Sequence, residues 1–314
     1  MLDNIKNKME CSSSPLVSIS CITFNHGKFI RETLDGFLSQ KTSFGFEILI
    51  HDDASTDDTV TIIKEYAERF PNIIKPIFQK ENQYSKGVRG INRRFNFPRA
   101  QGKYIAMCEG DDYWIDEYKL QKQVDIFNKN DDISIMHTGY VVRNETKDKE
   151  EIHIKKIRNP SRSENYNYLY TGDARTLTCM FRKDKLDLIL GVLEKKELEK
   201  NPIGDRALFL LLSSVGRMDY LPDVTGVYRL FNSESATRFS DPKKKYEFGI
   251  KCFEVELFLL KQVRLKDYRF FLQRRIMLFR CKMIFRLLRF NTCVKMYKYF
   301  YNMKNKEYSN TGFY

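Results

Sequence analysis

Three times within its first 130 residues this chain repeats one unit: a short apolar run that stops in polar or acidic residues and gives way to a stretch with helical spacing. The first run is Leu16 to Thr23, after which Ile30, Leu34, Phe37 and Leu38 recur as one helical face. The second, Phe46 to Ile50, opens onto His51-Asp52-Asp53-Ala54-Ser55, and Val60, Ile63, Ala67 and Phe70 mark the helix behind it. The third, Tyr104 to Cys108, opens onto Glu109-Gly110-Asp111-Asp112, with a helix over Leu120 to Phe127. Ile73 to Phe78 reads as a further strand, which Pro76 assigns to an edge. Apolar strands alternating with helices require a Rossmann-like, mostly parallel α/β sheet covered on both faces. Ligands of such sheets bind beyond the carboxyl ends of the strands, and there the three polar clusters converge.

Beyond residue 130 the pattern is mixed. Short strands are expected at Ser134–Val142, Thr176–Phe181 and Gly226–Leu230, and a helix over Asp205–Ser213. The charged stretch Lys147–Asn167, with Pro160, reads as a mobile connecting loop. The net charge of +13 lies almost wholly in the last 74 residues, where 18 Lys and Arg face 6 Asp and Glu. The expected divisions are a flexible N-terminus (1–14), an α/β part (15–130), a mixed part (131–240) and a helical, basic C-terminal region (241–314). Within the last, residues 268–290 place Arg274, Arg275, Lys282, Arg286 and Arg289 on one arc. Such a helix suits either an anionic membrane surface or packing on the catalytic body or a second subunit. Seven scattered cysteines with no C-x-x-C pair argue against a disulfide framework or a zinc site and for a reducing cytoplasm. The N-terminal residues do not read as a signal peptide, and no segment reaches the roughly 18 apolar residues a membrane span needs.

Adjacent carboxylates raise each other's pKa unless a cation or hydrogen bonds offset them. Asp111 and Asp112 are therefore candidate ligands of Mn2+ or Mg2+, hard cations that take carboxylates together with substrate phosphates. The plain alternative is a cap on a helix near Glu117. Asp52, Asp53 and Ser55 either cap the helix that follows or bind a base, Asp53 accepting the imide N–H of uracil while Thr23 or Asn25 completes the base and ribose contacts. The missing G-x-G-x-x-G after the first strand points to a mononucleotide conjugate rather than a dinucleotide. Asp205 is either a helix N-cap or a base facing the crevice. His26, His51, His137 and His153 read as structural or solvated, and Trp114 as a sugar-stacking ring or a core anchor.

LVSISCITFNHGKFIRETLDGFLSQ, FEILIHDDASTDDT, AQGKYIAMCEGDDYW and IGDRALF, in this order, resemble glycosyltransferase family 2, over roughly residues 15–238. The resemblance implies an inverting enzyme of GT-A fold that uses nucleotide-sugar donors, similar to members from bacterial polysaccharide clusters. It implies a nucleotide-sugar-binding part at 15–130 and an acceptor-binding, catalytic part at 131–240. It assigns Asp53 and Thr23 to the uridine, and Arg93 to an arginine the family places before its fourth strand. Glu109-Gly110-Asp111 falls on the D-x-D motif with Glu in the first place, so Asp111 and Asp112 carry the metal. Asp205 becomes the general base. The segment from Val227 to Ser240 resembles one that closes over the donor, where Arg229 or Arg238 would meet phosphate oxygens.

The expected activity is transfer of a sugar from a UDP-sugar to a hydroxyl of a glycan or lipid-linked acceptor, in the cytoplasm or at the inner face of the membrane. Two rivals were open to the sequence: a sugar-phosphate nucleotidyltransferase, for which the single glycine of Phe24–Lys28 is thin, and a nucleic-acid-binding protein using the basic tail, which has no need of EGDDYW.

Overall fold

Fully buried β runs lie at the centre of the sheet in a computed structural model of the chain, which describes residues 14–145, 149–153, 174–193, 204–231, 242–262 and Met277. By chain contacts, residues Met1–Asn232 form one unit and Ser233–Tyr314 another. In the first unit β1 (Val17–Thr23), β2 (Phe46–Asp52), β3 (Ile74–Phe78) and β4 (Tyr104–Glu109) run parallel in the order β3-β2-β1-β4. Every residue of β2 is buried, as are all but the last of β4. β3, carrying Pro76, lies at the edge. The connecting helices α1 (Ile30–Leu38) and α2 (Thr59–Arg69) bury Leu34 and Phe37, and Ile62 and Ile63, in the same core as Ile19, Ile48 and Ala106. Burying an aliphatic side chain of this size contributes about 2 kcal/mol, so the parallel half is held chiefly by its apolar strand runs.

The sheet continues through β5 (Tyr113–Trp114), α3 (Lys119–Lys129), β6 (Ile133–Asn144), β7 (Lys149–His153), β8 (Met180–Arg182), α4 (Lys183–Leu193), α5 (Gly204–Val215) and β9 (Arg217–Leu230). β8 pairs antiparallel with β4 and β6, and β9 runs parallel to β6 and antiparallel to β5. In the second unit α6 spans Pro242–Gln262. Among the described residues no helix is long and apolar enough to cross a membrane.

Four expectations are corrected here. Lys149–His153, read as part of a loop, is a strand that folds back on Tyr140–Asn144, because the end of β6 offers backbone N–H and C=O groups with which the backbone of any following segment can pair. Thr176–Phe181 is not one strand: a 3-10 turn covers Thr176–Thr178 before β8 begins at Met180. Gly226–Leu230 is only the end of the 14-residue β9, whose register against β6 jumps from Thr138↔Leu221 to Gly139↔Val224 and so accommodates Pro222 in a bulge. Helix α4 had no counterpart in the expectations, although Leu186, Ile189 and Leu193 bury one face. Residues 1–13, most of Lys147–Asn167, Pro202, Ile203, Arg238 and the arc of cations at 268–290 lie outside the described residues.

Candidate active site

The parallel strands stop level with one another. Thr23 pairs with Asp52 and Ile22 with Glu109, and the ladder runs on through Asp53 N–H to Thr23 O (2.9 Å) and Gly110 N–H to Ile22 O (3.0 Å). Polar clusters 30 and more residues apart are thereby set along one rim.

At its centre Glu109, Asp111 and Asp112 each bring a carboxylate oxygen within 4.8 Å of the others. The turn carrying them is fastened by neutral groups. Thr33 Oγ1, on α1, donates to the carbonyl of Asp112 at 2.7 Å and lies 3.1 Å from that of Gly110, and Asp112 N–H meets Glu109 O. Asp112 is 1% exposed; its Oδ1 accepts Arg229 N–H at 2.9 Å, whereas its Oδ2 has no partner among the described residues. Burial, with Asp111 and then Glu109 adding repulsion, pushes Asp112 well above the ordinary carboxylate range. Burial likewise pushes Glu109 up to about 8, with Asp111 and Asp205 contributing. No capping role remains for Asp111 and Asp112, because α3 begins at Lys119 and Asp116 accepts the N–H of Tyr118.

Asp205 sits in the first turn of α5, partly buried, its Oδ1 accepting Arg206 N–H at 2.8 Å. Burial raises its pKa, and its charge acts on Glu109. His26, expected to be structural or solvated, stands at the site: its Nε2 is 3.9 Å from Asp111 Oδ2. Burial lowers the pKa of His26 while Asp111 opposes the shift. His51 is enclosed and stacks on Phe95 at 4.5 Å, and His137 lies 4.8 Å from the Tyr220 ring.

The second rim cluster is stitched to loops on either side. Asp53 is 6% exposed and accepts Gln83 N–H (2.8 Å) and Tyr84 N–H (3.0 Å), one on each oxygen. Neither Asp52 nor Asp53 caps α2: Asp57 accepts from Thr59 N–H and Oγ1, and Asp52 accepts from Ser55 N–H and Oγ. Ser55 Oγ also receives Asn25 N–H, and Asn25 Oδ1 receives Thr56 N–H, with Asn25 and Ala54 at φ 55° and 64°. Thr23 Oγ1 is buried with no partner among the described residues. Arg93 lies on a π-helical turn, Asn92–Asn96, which is tied to β1 and β2 through Asn96 Nδ2.

At this rim one pair of alternatives is decided and one expectation fails. Trp114 is a core anchor, 3% exposed, packed edge-on against Phe37 at 4.7 Å with its Nε1 donating to Leu177 O, so it offers no face to a sugar. Arg229 does not reach for phosphate. It is 4% exposed, paired with Glu32 and with Glu145 at 3.0 Å, donates to Asp111 O at 2.7 Å, and is sandwiched between the rings of Phe29 and Tyr113. The sequence reading missed Arg175, whose charge acts on both Glu109 and Asp205. No local pattern marks it; only the return of β8 along β4 brings it to the rim.

Residues 18–189 match the family Glycosyl transferase family 2. The uncharacterized protein Rv1520 of Mycobacterium tuberculosis is 43% identical over 121 residues, 38% of this chain and 33% of that protein. The UDP-Glc:alpha-D-GlcNAc-diphosphoundecaprenol beta-1,3-glucosyltransferase WfaP of Escherichia coli is 35% identical over 127 residues, 40% of this chain and 47% of WfaP. The matches thus span a third to a half of the length of these relatives. Among solved structures, S. aureus TarS in complex with UDP-GlcNAc superposes with a TM-score of 0.56 at 19% identity, over 77% of this chain and 66% of that one. The mannosyltransferase PcManGT of Pyrobaculum calidifontis, in complex with GDP-Man and Mn2+, gives 0.54 at 14% identity, over 96% and 86%. At these identities the likeness is one of fold.

Proposed function

The chain belongs to glycosyl transferase family 2, on a GT-A fold, and from that premise we propose that it moves a sugar, with inversion, from a UDP-sugar to a hydroxyl of a glycan or lipid-linked acceptor in bacterial surface polysaccharide synthesis. The observation that carries this reading is the meeting of three carboxylates on one rim with a fourth, Asp205 on α5, whose charge acts on Glu109. The donor sugar would lie between them.

The acidic turn suits a hard divalent cation. Its oxygens are close enough to share one centre, and Asp112 Oδ2 is buried with nothing to accept from. Asp111 and Asp112, joined by Glu109, would hold Mn2+ or Mg2+, whose charge favours departure of the nucleoside diphosphate. Asp205 takes the proton of the acceptor hydroxyl; its raised pKa makes it a better base near neutrality than an exposed aspartate. Asp53 and Thr23 hold the uridine. Each oxygen of Asp53 keeps a lone pair beyond its backbone bond, and Thr23 Oγ1 has its whole capacity unspent. Asn25 and Ser55 shape that loop, and Arg93 flanks the donor. TarS bound to UDP-GlcNAc and the UDP-Glc-dependent WfaP support uridine in the donor, and WfaP supports a lipid-linked acceptor. The basic region 241–314 would then meet the membrane that carries it.

Incubation with UDP-sugars and Mn2+ tests the reading without knowing the acceptor, since slow donor hydrolysis is expected and chelation stops it. Asp205→Asn should lose transfer while retaining UDP; near-normal transfer in that variant removes Asp205 from the mechanism.

A further inference from the structure

Beyond Met180 the backbone of β8 continues backwards along β4, with Met107 N–H donating to Cys179 O at 3.1 Å. The 3-10 turn Thr176–Thr178 then delivers Arg175, itself extended (φ −94°, ψ 148°), to the level of the acidic turn. Two tyrosines fix the side chain there. Its Nε donates to the Tyr140 hydroxyl at 3.4 Å, and its guanidinium carbon lies 4.6 Å from the centre of the Tyr228 ring. The rings of Tyr140 and Tyr228 meet edge-on, so the arginine rests in a corner that sets its direction. Among the described residues neither Nη group has a hydrogen-bond partner. Arg229, by contrast, uses its donors on Glu32, Glu145 and Asp111 O. Arg175 therefore has a charge and two free donor groups at the rim, in a partly buried setting where leaving them unused is costly. Its charge acts on both Glu109 and Asp205.

We propose that Arg175 is a further catalytic residue, whose Nη groups receive the oxygen that departs on the β-phosphate of the donor. The inference rests on the function proposed above and names a group for its leaving step. As the bond from the sugar's anomeric carbon to the β-phosphate oxygen breaks, its electron pair stays on that oxygen, where the guanidinium meets it. The new bond forms from the acceptor oxygen to the same carbon, and the acceptor's proton passes to Asp205. An arginine pre-set by two aromatic rings reorganises little as this charge develops, which is where such donors have most effect.

The test compares UDP with UMP, which lacks the β-phosphate, by titration calorimetry in Mn2+ on wild type, Arg175→Lys and Arg175→Gln. Arg175→Gln is expected to bind UDP about 10-fold more weakly with UMP affinity within about twofold of wild type, and to hydrolyse UDP-sugars about 100-fold more slowly. Lysine should restore part of both, as should free guanidinium added to the glutamine variant. Equal losses for UDP and UMP, or none for either, overturn the role. Wild type that binds no UDP would instead overturn the donor assignment on which it rests.

Discussion

Replacing Glu109 by glutamine should stabilise the metal-free protein and weaken its hold on a cation. Burial, then Asp111 and Asp205, lifts the Glu109 carboxyl from 4.5 to about 8. A folded-state pKa above the unfolded value means the folded chain holds the extra proton, so stability is fullest below pH 4.5 and is lost as pH rises through about 8. Between pH 4.5 and 8 each unit is worth about 1.4 kcal/mol, or about 5 kcal/mol in all, and partial exposure of Glu109 reduces this to roughly 2 kcal/mol. In chelator, Glu109→Gln should therefore melt about 4–8 °C above wild type at pH 8, with the gap closing towards pH 5. Manganese should reverse the order, since a ligand at 100 times its Kd stabilises wild type by about 2.7 kcal/mol and the variant, short of one oxygen anion, by less. Melting curves at pH 5, 6.5 and 8, with and without Mn2+, supply the whole comparison. A variant gap that does not change with pH, or a manganese shift as large in Glu109→Gln as in wild type, would refute the reasoning.

Gly110→Ala would put a Cβ 2.6 Å from Thr23 Oγ1 and 2.8 Å from Thr23 Cβ, so the acidic turn must move; a loss of about 1–3 kcal/mol in urea unfolding and weaker UDP binding are expected. Trp114→Phe removes the bond to Leu177 O and should cost about 2–3 kcal/mol with the donor KM unchanged; a raised KM at unchanged stability would return the ring to a substrate role. Arg229→Ala leaves Glu32 without its cation and Glu145 with Arg143 alone, at 3.6 Å, and frees the backbone carbonyl of Asp111; a cost of about 1–3 kcal/mol by denaturant titration is expected.

The parallel half of the sheet was legible because its strands bury both faces and so announce themselves as apolar runs with polar ends. Thr23, Asp52 and Glu109 then had to lie level, and the rim followed from alternation alone. The antiparallel half hid itself. β9 carries Pro222 and alternates weakly, and it holds together through a bulge against β6 that no local residue signals. Charged partners were the least legible of all. Arg229 stands beside a stretch that looks made for phosphate, yet its choice of Glu32 is decided 197 residues away. Trp114 followed three acids and invited a sugar, but its two-residue strand pairs with β9 and turns the ring inward.

The way the acidic turn is fastened bears on the cation proposed for it. Its anchors are a threonine hydroxyl, backbone amides and carbonyls, and the Arg229 guanidinium touches it only through Asp111 O. Those anchors fix the positions of Glu109, Asp111 and Asp112 while the nearest arginine is already paired with Glu32 and Glu145. The charges of Arg229 and Arg175 act on Asp112 and Glu109 without cancelling their burial and mutual repulsion, and both pKa values stay raised. The carboxylates' repulsion is relieved by a proton on Glu109 or Asp112, or by a bound cation, and proton and cation compete for the same oxygens. Cation affinity should accordingly fall with pH below about 8, by up to tenfold per unit, because each ion that enters must displace that proton. Calorimetric titration of Mn2+ in two buffers of different ionisation enthalpy measures the protons released; at pH 7 at least one per ion is expected from the Glu109–Asp112 pair, and none would mean that both are already ionised.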